Sequence, residues 1–207
     1  MFPMIITSNG HHSIKLQTGD TVFAVNPISK ESSLKSSKFG ADVALVSINH
    51  PDFNGASDMT FGEKVPFVIN TPGEFEVKGT FIKGFLSGST YDDGEYVNTV
   101  FSVTMDGLHI CILGAISDTK LSDEASESLT DIDILFVPLS KDMLRSNDAH
   151  KLAVSLEPHM IIPLGDEEEI KLFVKEAGGK KPEELEKLTL KKKDVEGKVA
   201  EIVLLTN

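Results

Sequence analysis

The residues best suited to chemistry are a histidine and an aspartate two positions apart, His50 and Asp52, in a polar loop that contains Asn and Pro. Imidazole nitrogen and carboxylate oxygen are ligands for zinc, and the same pair can act in general acid-base catalysis without a metal. Two further candidates are His11, which follows a glycine near the N-terminus, and Asp118, in a later polar stretch. Each candidate also has a structural interpretation. An Asp in such a loop commonly caps its own backbone, His11 can cap a turn, and Asp118 can simply belong to a polar loop.

Nucleophilic catalysis finds little support in the sequence. Ser8, Ser13 and Ser47 lack the Gly-x-Ser-x-Gly context of a nucleophile elbow. The single cysteine, Cys111, lies in an apolar run and cannot form an internal disulfide bond. We predict that Cys111 is a buried core thiol.

The elements that must position His50 and Asp52 are strands, because the first half of the chain alternates short apolar runs with turn residues. The run at 41–47 is nearly all apolar, which is typical of a strand buried on both faces, and it leads directly into the His50 loop. The predicted strands of this half are 4–7, 13–16, 21–25, 41–47, 67–70, 74–85, 98–105 and 108–113. We predict that the glycine-containing and acidic segment 87–96 is a mobile loop.

Helical periodicity begins only after Gly114. Apolar residues at helical spacing predict helices at 122–129, 147–156 and 167–176, and a short helix is predicted after Pro182. Strands are predicted between the helices, at 134–138, 160–163 and 200–205. The interleaving favours a layered α/β protein with two sheets inside and helices outside.

Length and composition limit the class of protein. A chain of 207 residues, 40% hydrophobic and 25% charged, can bury one substantial core, so we predict one domain over 1–207. No apolar run approaches the roughly 18 residues of a membrane span, and residues 1–7 lack the features of a signal peptide; we therefore expect a cytoplasmic protein with no membrane partner. A net charge of −12 argues against general nucleic-acid binding. The basic run 191–193 is interpreted as a solvated turn.

Four motifs, in this order, resemble those of the metallo-β-lactamase superfamily, in particular the branch similar to the L-ascorbate-6-phosphate lactonases. They are Asn9-Gly10-His11, the loop 46–54, the Pro-Gly-Glu segment within 71–77, and the hairpin 105–114. The resemblance covers about residues 4–166. It implies a four-layer αββα sandwich, and it implies a hydrolase that uses one or two divalent metals to activate water.

The same resemblance aligns most of the family's metal ligands with residues that cannot bind a metal. In the family's His-x-His-x-Asp-His loop, the first His is Ile48, the second is retained as His50, the Asp is retained as Asp52, and the final His is Phe53. The family's bridging Asp is Ala115. Two of the four loop ligands therefore remain, and in the family they belong to different metals.

Three other family positions also differ. Asp118 stands where the branch often has a histidine, Gly165 where the late histidine is expected, and Asn26 where an Asp often precedes proline. We therefore expect no bound metal and no other cofactor; if a metal binds, His50 and Asp52 are the candidate ligands.

Three functions remain open. The first is a non-catalytic pseudoenzyme with a binding, regulatory or structural role. Such a protein would have a small-molecule or protein partner, and a homo-oligomer is one form it could take. The second is a residual hydrolase of lactones, esters or phosphoesters, using zinc or manganese on His50 and Asp52, or using His50, Asp52, Asp118 and His11 without a metal. The third is a ligand-binding module without turnover.

Overall fold

Two β-sheets form the centre of the computed structural model, which describes residues 2–178 and 181–206. The strands are β1 (Met4–Ser8), β2 (Ile14–Thr18), β3 (Thr21–Val25), β4 (Val43–Leu45), β5 (Phe67–Ile69), β6 (Gly73–Val77), β7 (Thr80–Ser89), β8 (Tyr96–Met105), β9 (Leu108–Ile112), β10 (Ile134–Leu139), β11 (Met160–Gly165), β12 (Glu183–Leu185), β13 (Leu188–Leu190) and β14 (Glu201–Leu205). The α-helices are α1 (Asp123–Ser128), α2 (Ser146–Ser155) and α3 (Glu167–Glu176). Single turns of 3-10 helix occur at Ala56–Met59, Tyr91–Asp93 and Lys192–Asp194.

Both sheets are mixed. The six-stranded sheet has the order β13-β1-β2-β3-β4-β5, and the eight-stranded sheet has the order β12-β14-β11-β10-β9-β8-β7-β6. Alternation along the antiparallel strands β1 and β2 turns Met4, Ile6, Ile14 and Leu16 inward, where all four are fully buried. These side chains pack with inward residues of the larger sheet, such as Phe136, to form the main core between the sheets.

The helices cover the outer face of the larger sheet. Strand β10 is parallel to β9 and β11 and is buried along its whole length, as expected for a strand with both faces covered. Its outward residues Leu135 and Val137 pack with Ala125 of α1, Leu152 of α2 and Phe173 of α3. The outer face of the smaller sheet is covered mainly by Met59 of a 3-10 turn and by the neighbouring Phe39. The α/β fold with two mixed sheets is thus confirmed.

The loops that follow β4 and β9 meet at one edge of the sandwich. The backbone N–H of Thr99 in β8 donates to the carbonyl of Ser47, 3.0 Å away, which joins the larger sheet to the loop after β4. The side-chain oxygen of Asn98 accepts from the N–H of Ala115 at 2.8 Å. Gly114 has a φ of +71°, and a Cβ there would come within 2.5 Å of Ser47 Oγ, so only glycine allows this close approach. Residues 47–53 and 115 are therefore held together.

Four sequence-based predictions of local structure were wrong. Residues 183–185 form strand β12 rather than a helix, because pairing with β14 overrides the local helical preference. The single strand predicted at 74–85 is the hairpin β6–β7, turned at Lys78 and Gly79, which both have positive φ. The loop predicted at 87–96 is shorter, since β7 ends at Ser89 and β8 begins at Tyr96. The turn 191–193 is not wholly solvated, because Lys192 Nζ contacts the buried Asp133 at 2.7 Å.

The predicted burial of Cys111 was confirmed. Cys111 is buried on β9, and burial raises the pKa of its thiol to about 12. Within the described residues, none of the helices is both long enough and apolar enough to span a membrane.

Candidate functional site

The loop after β4 directs alternate residues to opposite sides. The carbonyl of His50 accepts from the N–H groups of Phe53 at 2.9 Å and Asn54 at 2.8 Å, which closes a tight turn. The N–H of Asp52 donates to His50 Nδ1 at 3.2 Å. This turn sends the ring of Phe53 into the protein, where it is fully buried, while His50 and Asp52 stay near the surface, each with 14% of its side chain exposed.

Phe53 is the centre of an apolar cluster. Its buried neighbours are Ile48, Ala115 and Met143, and the largest exposed fraction among these residues is the 7% of Met143. The rings of Phe53 and His12 stack, with centroids 5.4 Å apart, and Tyr91 meets Phe53 edge-on at 5.0 Å. Carbon atoms therefore fill the space between the loops after β4 and β9.

Asp52 is held by two hydroxyl groups at the rim of this cluster. The Tyr91 hydroxyl donates to Asp52 Oδ2 at 2.7 Å, and the Ser32 hydroxyl donates to Oδ1. Burial, followed by the hydrogen bond to Asp52, raises the pKa of Tyr91 above its ordinary value. Tyr91 is consequently a hydrogen-bond donor here and is not suited to act as a base near neutral pH.

His50 is enclosed by two tyrosine rings, with centroid distances of 5.0 Å to Tyr91 and 5.8 Å to Tyr96. Because Nδ1 accepts from the N–H of Asp52, the neutral ring carries its proton on Nε2. Nε2 lies 3.5 Å from a carboxylate oxygen of Asp92, whose side chain is 73% exposed. The sequence-based candidates His50 and Asp52 are thus brought together in one polar cluster with Tyr91 and Asp92.

His12 belongs to the site and was missed by the sequence analysis. It is only 5% exposed, and its Nδ1 has no hydrogen-bond partner among the described residues. Burial, together with the neighbouring charge of His11 and against the attraction of Asp52, lowers the pKa of His12 to about 3. The signal that could have found it is alternation, because His12 continues the inward series of Ile14 and Leu16.

The other two candidates lie outside this polar cluster. His11 is exposed, with a left-handed φ of +50°. Asp118 is exposed as well, and its carboxylate accepts from the N–H of Lys120 at 2.9 Å, which is a local turn contact. Among the described residues, no group of three or more His, Cys, Asp or Glu side chains is placed to hold a metal ion.

Comparison with known protein families decides the affiliation. Residues 5–165, which include all of β1 except Met4, the whole of β2 to β11 and the His50 loop, match the beta-lactamase superfamily domain. The chain belongs to the metallo-β-lactamase superfamily. No curated protein matches this member of the superfamily.

Solved structures agree with this affiliation. A Thermotoga maritima protein, titled a candidate Zn-dependent hydrolase of the metallo-beta-lactamase superfamily, is 25% identical with a TM-score of 0.74, and the match covers 98% of each chain. A candidate metal-dependent hydrolase from Parabacteroides distasonis is 16% identical with a TM-score of 0.67, over 98% of this chain and 94% of that one. The metallo-beta-lactamase fold protein YhfI from Bacillus subtilis is 10% identical with a TM-score of 0.64, over 100% and 98%. The latter two matches establish similarity of fold alone.

Proposed function

We propose that this chain is a non-hydrolytic member of the metallo-β-lactamase superfamily, with a binding, regulatory or structural role. The observation that carries the proposal is the mutual burial of Ile48, Phe53 and Ala115, three residues at positions where the family resemblance expects metal ligands. None of these side chains has a lone pair to offer a metal. On this proposal, their packing takes the place of the imidazoles, the metal and its water.

The donor set supports the same conclusion. A zinc site takes about three protein ligands drawn from nitrogen, sulfur and carboxylate oxygen. At the positions assigned by resemblance, only His50, Asp52 and Asp118 provide such atoms. Asp52 already accepts hydrogen bonds from Tyr91 and Ser32, and within the described residues Asp118 does not join the other two in a group that could hold a metal. Position 165, where a late histidine is expected, is glycine. The residues at these positions therefore do not fit a zinc or manganese site.

The closer assignment, to the branch similar to the L-ascorbate-6-phosphate lactonases, is part of this proposal and depends on the four sequence motifs. Four other expectations also remain predictions: a small-molecule or protein partner, a cytoplasmic location, a homo-oligomer, and a single domain over 1–207. That the protein binds no metal or other cofactor is also a prediction.

A metal-dependent hydrolase is the second candidate, and the comparisons favour it. The Thermotoga maritima protein, 25% identical over almost the whole of both chains, is titled a candidate Zn-dependent hydrolase. On this hypothesis His50 and Asp52 bind zinc or manganese and the substrate is a lactone, ester or phosphoester. The side chains of this chain favour the first candidate, whereas its similarity to the Thermotoga maritima protein favours the second.

Metal analysis and turnover distinguish the two candidates. The protein is purified with zinc or manganese supplied, and metal content and hydrolysis of lactones, aryl esters and phosphodiesters are measured for the wild type, His50→Ala and His109→Ala. His109 is the matched control because its side chain is exposed on β9, away from the cluster. We expect substoichiometric metal and no turnover in all three. Stoichiometric metal and turnover that disappear in His50→Ala but persist in His109→Ala would establish the hydrolase instead.

A further inference from the structure

A cavity of about 470 Å³ lies beside the amino ends of strands β10 and β11, at the opposite end of these strands from the His50 cluster. Its polar lining comes partly from residues that precede strands β10 and β11, including Asp131, Glu157 and His159, and partly from Ser126 and Ser155 of the covering helices. Gly165 and Ala115, by contrast, lie at or just beyond the carboxyl ends of β11 and β9. The volume is within the range of small-molecule sites, about 300 to 1,000 Å³. This cavity is separate from the cluster around Phe53.

A buried carboxylate contacts Nδ1 of His159 and fixes the orientation of its ring. Asp133 is fully buried, and its Oδ1 lies 3.1 Å from His159 Nδ1. A carboxylate can only accept, so Nδ1 must carry the hydrogen, and Nε2 of the neutral ring keeps its lone pair. Lys192 is the nearby cation, and its Nζ contacts both oxygens of Asp133, at 2.8 Å and 2.7 Å. Asp133 therefore balances the charge of Lys192 and orients the ring of His159 so that Nε2 is on the side away from Asp133.

The two serine hydroxyls of the lining also present lone pairs. Ser126 donates its hydroxyl hydrogen to the carbonyl of Ser122 at 3.0 Å, and Ser155 donates to the carbonyl of Leu152 at 2.8 Å. With their single hydrogens used inside the helices, both oxygens remain as acceptors. The polar lining thus presents the hydroxyl oxygens of Ser126 and Ser155 as acceptors, together with Nε2 of His159 whenever its imidazole is neutral.

Two carboxylates and the hydroxyl groups of Thr119 and Thr130 complete the polar lining. Asp131 and Glu157 are both exposed at the rim. In the part of the chain that the structure describes, neither forms a salt bridge with a basic side chain. The floor is apolar and consists of Leu121, Leu129, Ile132 and Leu152, none more than 8% exposed. An occupant must therefore combine hydrogen-bond donors and positive charge with a hydrocarbon part.

We propose that this cavity binds an organic cation, a protonated primary amine with a short apolar chain. An ammonium group has three N–H donors and no acceptor, which complements a lining of serine oxygens, imidazole nitrogen and carboxylates. The hydrocarbon part of such a ligand covers the leucine and isoleucine floor and removes it from water. A carboxylate or phosphate ligand would instead face the negative charges of Asp131 and Glu157. The proposal is independent of the function proposed for the His50 cluster.

The test is an NMR titration of the full chain with hexylammonium, using hexan-1-ol and hexanoate as neutral and anionic probes of similar length. We expect hexylammonium to shift the amide signals of Ser126, Ser155 and His159 with a Kd of about 1 mM or below. The other two probes should bind at least about tenfold more weakly. Equal or tighter binding of hexanol or hexanoate, or no shift of these signals with hexylammonium, would overturn the proposal.

A pair of charge-matched double variants locates the binding. Asp131→Asn with Glu157→Gln should weaken hexylammonium binding at least about tenfold, because both cavity carboxylates are neutralised. Glu31→Gln with Glu63→Gln changes the net charge equally at two exposed positions near the smaller sheet and should leave the Kd within about twofold. The four residues are exposed, so both proteins should remain folded. Equal weakening in both variants would mean that the amine responds only to overall charge, and the site would be rejected.

Discussion

The imidazole of His12 takes up the space in which a side chain at position 165 would begin. A Cβ on Gly165 would lie 2.4 Å from His12 Cε1 and 2.1 Å from the carbonyl oxygen of Leu139. Gly165 also has a φ of +124°, which L side chains rarely adopt. The histidine that the family resemblance expects at position 165 therefore cannot be restored here by one substitution.

Gly165→His is accordingly expected to destabilise the protein by about 3 kcal/mol or more, through steric overlap and backbone strain together. Gly62→Ala is the control for backbone strain alone, since Gly62 has a φ of +62° and open space around its Cα; about 1 kcal/mol is expected. Urea unfolding measures both. Equal losses in the two variants would show that the contact with His12 is unimportant.

Phe53→Ala should lower the free energy of unfolding by about 3 to 5 kcal/mol, because it empties a fully buried position among Ile48, Ala115 and Met143. Phe61→Ala, at a ring that is 76% exposed, should change it by no more than about 0.5 kcal/mol. The midpoints of denaturant unfolding give the comparison. A loss below about 1 kcal/mol for Phe53→Ala would mean that this cluster can be hydrated without penalty.

His12 makes stability depend on pH. Because its folded pKa is lowered to about 3, the unfolded chain binds a proton that the native state rejects between pH 6.5 and pH 3. The stability contributed by neutral His12 is therefore complete above pH 6.5 and is lost as the pH falls, by up to about 1.4 kcal/mol per pH unit.

His12→Phe removes this titration while keeping a ring to stack on Phe53, so its unfolding free energy should fall less steeply with acidification than that of the wild type. The unpartnered Nδ1 is also removed, and the variant should be at least as stable at pH 7. Urea unfolding between pH 4 and pH 7 gives the two slopes. Parallel slopes would contradict the burial of a neutral His12.

Tyr91 should resist ionisation in the native protein. The chain has two tyrosines, so Tyr96→Phe leaves Tyr91 as the single chromophore for an ultraviolet titration of tyrosinate. With the pKa of Tyr91 raised by burial and by Asp52, its ionisation should begin well above pH 10, the ordinary value being about 10. Above the pKa of unfolded tyrosine the stability should fall, because only the unfolded chain then releases the proton. A native midpoint near 10 would contradict the Tyr91–Asp52 hydrogen bond.

Lys192 and Lys193 are neighbours with different roles. Lys192→Ala leaves the fully buried carboxylate of Asp133 without its ammonium partner, and a loss of about 3 kcal/mol is expected. Lys193→Ala, at an exposed position with the same change of charge, should stay within about 0.5 kcal/mol of the wild type. Thermal or urea unfolding decides between them. Similar small effects would show that Asp133 is stabilised sufficiently by His159 and the backbone.

Local pattern determined much of this protein. Alternation and apolar runs predicted β1, β3, β10 and the three α-helices close to their observed bounds, because strand and helix periodicities are set by neighbours two to four positions apart. Residue types also identified His50 and Asp52 as a pair, because side chains two positions apart in one tight loop must lie close together. The same reasoning located the apolar substitutions Ile48, Phe53 and Ala115.

The tertiary structure alone decided which distant groups meet. His12 lies against Gly165, Tyr91 donates to Asp52, Lys192 reaches Asp133, and residues 183–185 pair with β14 as a strand. These contacts join segments tens to more than a hundred residues apart, and they depend on how the sheets and helices of the described residues pack together. Periodicity specifies which face of an element is buried, but the partner on the other side is selected only when the whole chain closes around its core.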